Sequence, residues 1–271
     1  MSGAGVAASP GRSGPAGGSA PRPALDLTPR GGAAPFLRRT LRQAGLEARV
    51  ALRNGEQLLL TLVLPVIVLV AAARTTSVDL GEGDRTSLAL AGVLAVAVVS
   101  TAFTGQAIAT GFDRRNGVLR LLATSPLGRG GLLAGKAGAV AVLVAVQVLV
   151  LCAVAVACGW RPDALGMLAA LPALVLGCAA FTALALLLAG TVRAEATLAA
   201  ANFVWVLLLA GGGLVLPSPV PALTSALPSG ALGTALRSAL TEHVVAVGPL
   251  LVLLAWAAAA AAASARWFSW E

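Results

Sequence analysis

The sequence is poor in charge. Only 11% of its 271 residues are Asp, Glu, Lys or Arg while 58% are hydrophobic, a balance that excludes a soluble domain of this size and points to an integral membrane protein. Cysteine is scarce too: Cys152, Cys158 and Cys178 lie in or at the ends of apolar runs. With no ligand spacing and no histidine nearby, they support neither a disulfide frame nor a zinc site and read as packing residues. The one histidine, His243, stands beside Glu242 without a serine or cysteine constellation, so the pair reads as solvated and not as catalytic. Of the nineteen basic residues only Lys136 is lysine. The net charge of +8 does not indicate nucleic acid, because the arginines sit in short loops and tails that flank apolar runs, where they anchor topology.

One motif is incomplete in an instructive way. Residues Gly130 to Lys136 have the G-x-x-x-x-G-K spacing of a phosphate-binding loop, but Ala137 follows where Ser or Thr would hold magnesium. The copy also runs straight into an apolar segment instead of following a strand. No nucleotide, metal or other cofactor is therefore expected on this chain.

Six apolar runs are present, at 57–73, 87–112, 137–158, 165–190, 197–216 and 247–265, each near the length of about 20 residues that spans a bilayer. Pro65 is expected to kink the first, and Trp160 and the terminal Trp267 and Trp270 suit the membrane interface. None of the six contains Asp, Glu, Lys, Arg or His. That weakens an ion-coupled transporter or an intramembrane enzyme, both of which need ionisable or nucleophilic groups near the midplane. Gln106, Gln147, Asn202 and hydroxyls such as Ser100, Thr101, Thr104 and Thr182 remain, and buried amides of this kind usually hydrogen-bond a neighbouring helix.

Residues 1–35 are mostly Gly, Ala, Pro and Ser and read as a disordered cytoplasmic tail, with the membrane domain covering 36–271. From Phe36 to Asn54 the pattern is amphipathic. On a helix, Arg38, Arg42, Arg49 and Arg53 share an arc of about 60°, with Leu37, Leu41, Ala44, Ala48, Ala51 and Leu52 in a separate arc. This predicts a helix in the headgroup plane, arginines toward anionic lipid and leucines in the acyl boundary. Counting Lys and Arg with both termini inside puts fifteen inside and four outside, so a multi-pass protein with cytoplasmic termini is expected. Between Pro217 and Ala246 a segment too short to span carries Leu232, Leu236 and Leu240 on one helical face, with Ser229 as its expected cap. A short re-entrant helix before the last span is the expectation.

The most informative stretch is the basic loop from Asp113 to Lys136, which joins the second and third runs. Val118, Leu119, Leu121 and Leu122 fall on one side of a short helix ended by Pro126, with Arg120 pointing the other way, so the loop offers apolar knobs to a soluble partner. Asp113-Arg114-Arg115, Gly117, Leu119, Leu121-Leu122, Thr124-Ser125-Pro126-Leu127, Leu132-Leu133 and Gly135-Lys136 resemble the loop between helices 2 and 3 of ABC-2 type transporter permeases. Val118 stands where a threonine is common in that family and Arg120 where an acid is common. The resemblance implies an all-α membrane fold of six transmembrane helices with an N-terminal interfacial helix, a cytoplasmic coupling helix between spans 2 and 3, and the re-entrant segment. It further implies a docking surface on the loop, drawn from Asp113, Arg114, Arg115, Gly117, Leu119, Arg120, Leu121, Leu122, Pro126, Leu127 and Lys136. The partner would be an ABC-type ATP-binding subunit carrying the ATP and magnesium. A second permease copy, identical or homologous, would complete a plasma-membrane exporter of drug-like, lipid or glycan cargo. A pathway along helices 2 and 5 would involve Thr101, Thr104, Gln106, Asn202 and Trp205. For Lys136 the expected partners are loop carbonyls or lipid phosphate. The competing class is a membrane scaffold that holds a cytosolic partner without transport.

Overall fold

A computed structural model describes residues 34–75, 80, 83–212 and 221–267. The tail before Ala34, the end of the fifth apolar run at 213–216 and Trp270 lie outside them. Every described element is helical. α1 (Phe36–Arg53) leads into α2 (Gly55–Arg74). After it, α3 (Arg85–Val98), a π-helical segment (Val99–Gly105) and α4 (Gln106–Arg115) run on as one helix. A short α5 (Val118–Ala123) precedes α6 (Gly128–Ala157), α7 (Ala164–Thr191) and α8 (Ala194–Gly211). α9 (Pro221–Ala226) and α10 (Pro228–Arg237), with a π turn over Ser238–Glu242, come before α11 (Val247–Trp267).

Among the described residues five helices are long and apolar enough to cross a membrane: the α3–α4 helix, α6 from Gly130, α7, α8 and α11. The first run expected from sequence falls in α2, whose apolar stretch Thr61–Arg74 is shorter than these. Pro65 sits inside α2, and the helix continues through it. The α3–α4 helix is the most buried of the five. Its first half packs on α2, α6 and α10, and its second half on α7 and α8. Ala102 and Phe103 of the π segment are fully enclosed at the changeover.

At the end of the bundle opposite the basic loop, carboxylates cap two of the long helices. Asp84 accepts from the Ser87 N–H (2.8 Å) and Asp163 from the Gly166 N–H (2.9 Å), each satisfying a first-turn donor that has no helical partner. Ser87 Oγ, held by Asp84, then receives the indole N–H of Trp160 at 3.1 Å. Trp160, in the connection after α6, is buried against protein, where its N–H needs and finds an acceptor. Trp267 is exposed. Leu232 and Leu236 of α10 and Leu240 of the π turn after it are buried, with α10 packed on α3, α7 and α11 among other elements. Ser229 does not cap this helix. Leu227 occupies the cap and Pro228 the first helical position, where fixed φ and a missing N–H suit the start of a helix. Ser229 is thereby pushed into the first turn, its hydroxyl buried without a partner against Gly212.

α1 lies along the start of α6, a placement its amphipathic pattern alone does not announce. Thr40, Ala44 and Ala48 form the buried face. A Cβ on Gly135 would come within 2.8 Å of Gln43 Cγ, and one on Gly138 within 2.9 Å of Ala44 Cβ, so the two helices touch where α6 has no side chains. The small-residue part of the expected lipid-facing arc is therefore docked on protein, while Leu37, Leu41 and Leu52 stay exposed. Changing Gly138 to Val overpacks this contact by about 1–3 kcal/mol. Trypsin cleavage within α1 should then accelerate several-fold or more, and an unchanged cleavage rate would show that the glycine contact does not hold α1 in place.

Candidate functional site at the basic end

The connection between α4 and α6 is built as a fastened bracket. Gly117 takes φ 73°, a left-handed conformation that costs glycine little, and turns the chain into α5. At the far end of α5 the hydroxyls of Thr124 and Ser125 donate to the carbonyls of Leu121 (2.8 Å) and Leu122 (2.6 Å), satisfying acceptors left open by the helix end. Leu119 is fully buried in a cluster with Leu127, Leu132 and Leu186, with Leu122 packed partly against it. Val118, Arg120 and Leu121 are exposed, Leu121 at 73%, and Val118 and Leu121 also edge the groove described below. The apolar residues of α5 are thus divided between an inward root and an outward knob, and do not form the single face expected. Leu119 and Leu127 have no surface to give a partner. Arg115 and Pro126 are exposed and Gly117 is half-buried.

Three basic side chains tie the bracket to the rest of the chain. Arg114 Nη1 donates to the carbonyls of Ala189 (3.1 Å) and Val192 (2.8 Å) at the end of α7. Arg39 of α1 donates to the carbonyl of Pro126. Lys136, only 1% exposed, places its ammonium 2.9 Å from Asp113 Oδ2 and 3.3 Å from Glu47 Oε2. Glu47 is steadied by Gln43, whose Nε2 donates to its other oxygen at 2.7 Å. The lysine therefore meets carboxylates, and neither the loop carbonyls nor the lipid phosphate expected from sequence. Asp113 and Lys136 face each other, so their place is inside the fastening and not on the docking surface. A buried ammonium is tolerated only when paired and hydrogen-bonded, and here α1, α4 and α6 each supply one member.

Beside this ion cluster a groove of about 440 Å³ opens between α1, α2, the α3–α4 helix, α5 and α6. Leu58, Leu62, Leu143 and Val146 make apolar walls. Deeper in, Thr101 donates to Gln147 Oε1 (3.0 Å) and the Gln147 amide donates to the Thr61 carbonyl (3.1 Å), so one amide links three helices. Gln106, also on the groove, donates to Thr110 of its own helix at 3.1 Å. The other expected pathway residues are elsewhere. Thr104 is half-buried with its hydroxyl unpartnered, Trp205 donates its indole N–H to Ser100 Oγ at 3.1 Å in the seam between α8 and the π segment, and Asn202 is exposed on α8. The five do not form one surface.

Arg38, Arg42, Arg49 and Arg53 are all exposed on the side of α1 turned away from α6. Sequence reasoning missed Glu47, Arg39 and Thr61. Glu47 had a signal: it is the only acid in α1, as Asp113 is in the loop, and a lone lysine at the edge of an apolar run needs a counter-charge. Among the described residues no group of three or more His, Cys, Asp or Glu side chains is placed to hold a metal. A family model described as ABC-2 family transporter protein matches residues 72–266. No curated protein matches the chain.

Proposed function

Because the chain belongs to the ABC-2 transporter family, whose members are membrane permeases of ABC transporters, we propose that it is the permease of an exporter driven by a separate ATP-binding subunit. ATP and magnesium would be held by that subunit. Six spans, with α2 as the first, would place both termini and the bracket in the cytoplasm, and a second permease copy or a homologue would complete the assembly. Export of a drug-like, lipid or glycan cargo is part of this proposal, and the family likeness supports it. The observation that carries the reading is α5 itself: an exposed knob of Val118, Arg120 and Leu121 on a bracket tied to α1, α6 and α7. A push on such a knob moves helices as rigid bodies instead of bending a loop. The outer arginines of α1 would rest on anionic headgroups in this arrangement.

The test is to purify the tagged full chain with its ATPase and reconstitute both. Hydrolysis should rise when the permease is present, and cargo should accumulate on the far side of the membrane only with ATP. A bound ATPase whose hydrolysis is indifferent to the permease, with no transport, would make this chain a scaffold.

A further inference from the structure

We propose that the groove beside the ion cluster is a binding site for cationic amphiphiles entering from the leaflet at the basic end. The argument begins with charge. Lys136 is one positive group between two carboxylates, so the cluster at the mouth keeps one unit of negative charge. The ammonium is only 1% exposed, whereas the side chains of Glu47 and Asp113 are 21% and 33% exposed. What an arriving head group meets is therefore carboxylate oxygen. No other ionisable side chain lines the groove among the described residues.

Shape supplies the second part. Along α6 the interval from Lys136 to Gln147 is eleven residues, or about 17 Å at 1.5 Å per residue, close to half the hydrocarbon thickness of a bilayer. The groove thus runs from headgroup depth toward the midplane, with leucine and valine walls for a tail. Its volume lies in the range of small-molecule sites. A cationic head at Glu47 and Asp113 and an apolar tail between α2 and α6 satisfy both ends at once. An anionic head group is repelled at the mouth although the outer face of α1 is basic, because those arginines point the other way.

The inference rests on the exporter reading only where it makes the occupant cargo. Binding is tested on the full chain alone, in nanodiscs of zwitterionic lipid without any ATPase, so its failure and the failure of transport are separate results. A variant lacking Cys152, Cys158 and Cys178 receives a single cysteine by Ala109→Cys on the groove, or by Val244→Cys in the exposed connection before α11 as a control. Labelling by N-ethylmaleimide is followed with dodecyltrimethylammonium, dodecyl sulfate or dodecyl maltoside present. The cation should slow labelling at the groove about tenfold, the size of one charge-assisted contact, at concentrations where the other two have little effect. Glu47→Gln should erase the preference, and Leu143→Trp should abolish protection by filling the groove. Equal protection by all three amphiphiles, protection by the sulfate, parallel protection of the control site, or no protection would each overturn the proposal.

Discussion

Replacing Glu47 by Gln and Asp113 by Asn together should lower the stability of the chain by about 3–5 kcal/mol, the cost of leaving a buried charge without partners. Lys136 is 1% exposed and cannot turn to water without parting α1 from α6. At roughly 2–4 °C per kcal/mol for a chain of this size, the unfolding midpoint in mild detergent should fall by about 10 °C. Either single change leaves one ion pair and should cost less than half as much. Adding Lys136→Met to the double variant removes the stranded ammonium and should recover most of the loss, since a well-packed apolar side chain can replace a buried ion cluster. A double variant that melts within about 2 °C of the parent would show that the cluster does not hold these helices together.

The second large effect separates the knob from the root of α5. Leu121→Asp should reduce stimulation of the partner ATPase at least about thirtyfold, the size of an interface hot spot near 2 kcal/mol. Because Leu121 is 73% exposed, the same change should alter the stability of the permease alone by no more than about 0.5 kcal/mol. Leu119→Ala should do the reverse, costing about 2–5 kcal/mol of stability through a cavity among Leu127, Leu132 and Leu186. Full stimulation by Leu121→Asp would move the docking surface away from α5.

The long apolar runs made the membrane helices legible, and the crowd of arginines around one short apolar segment made the bracket legible. What escaped notice has physical reasons. The docked face of α1 consists of Thr40, Ala44 and Ala48, which hydropathy cannot tell from a lipid-facing strip, and its contact depends on glycines about 90 residues away on α6. Glu47 reaches Lys136 across 89 positions, beyond any local periodicity. The hydroxyls of Ser100, Thr101 and Thr104 mark the π segment at Val99–Gly105 as polar but not as π-helical, and it lets one helix face α10 before it and α8 after it. The hydrogen bond of Trp160 to Ser87 joins residues 73 positions apart, which no local pattern announces. Thr104, Gln106, Asn202 and Trp205 shared a polar character but not a surface, because polarity along a helix does not say which neighbour will cover it.

The single lysine also governs the covalent chemistry of the chain. Its only side-chain amine, at Lys136, is enclosed by α1, α4 and α6, so reagents that acylate lysines should find no target on the closed fold. Reagents directed at amines would pass this protein by. Any acylation of Lys136 would then record the parting of these helices, which makes the residue a built-in reporter of whether they separate.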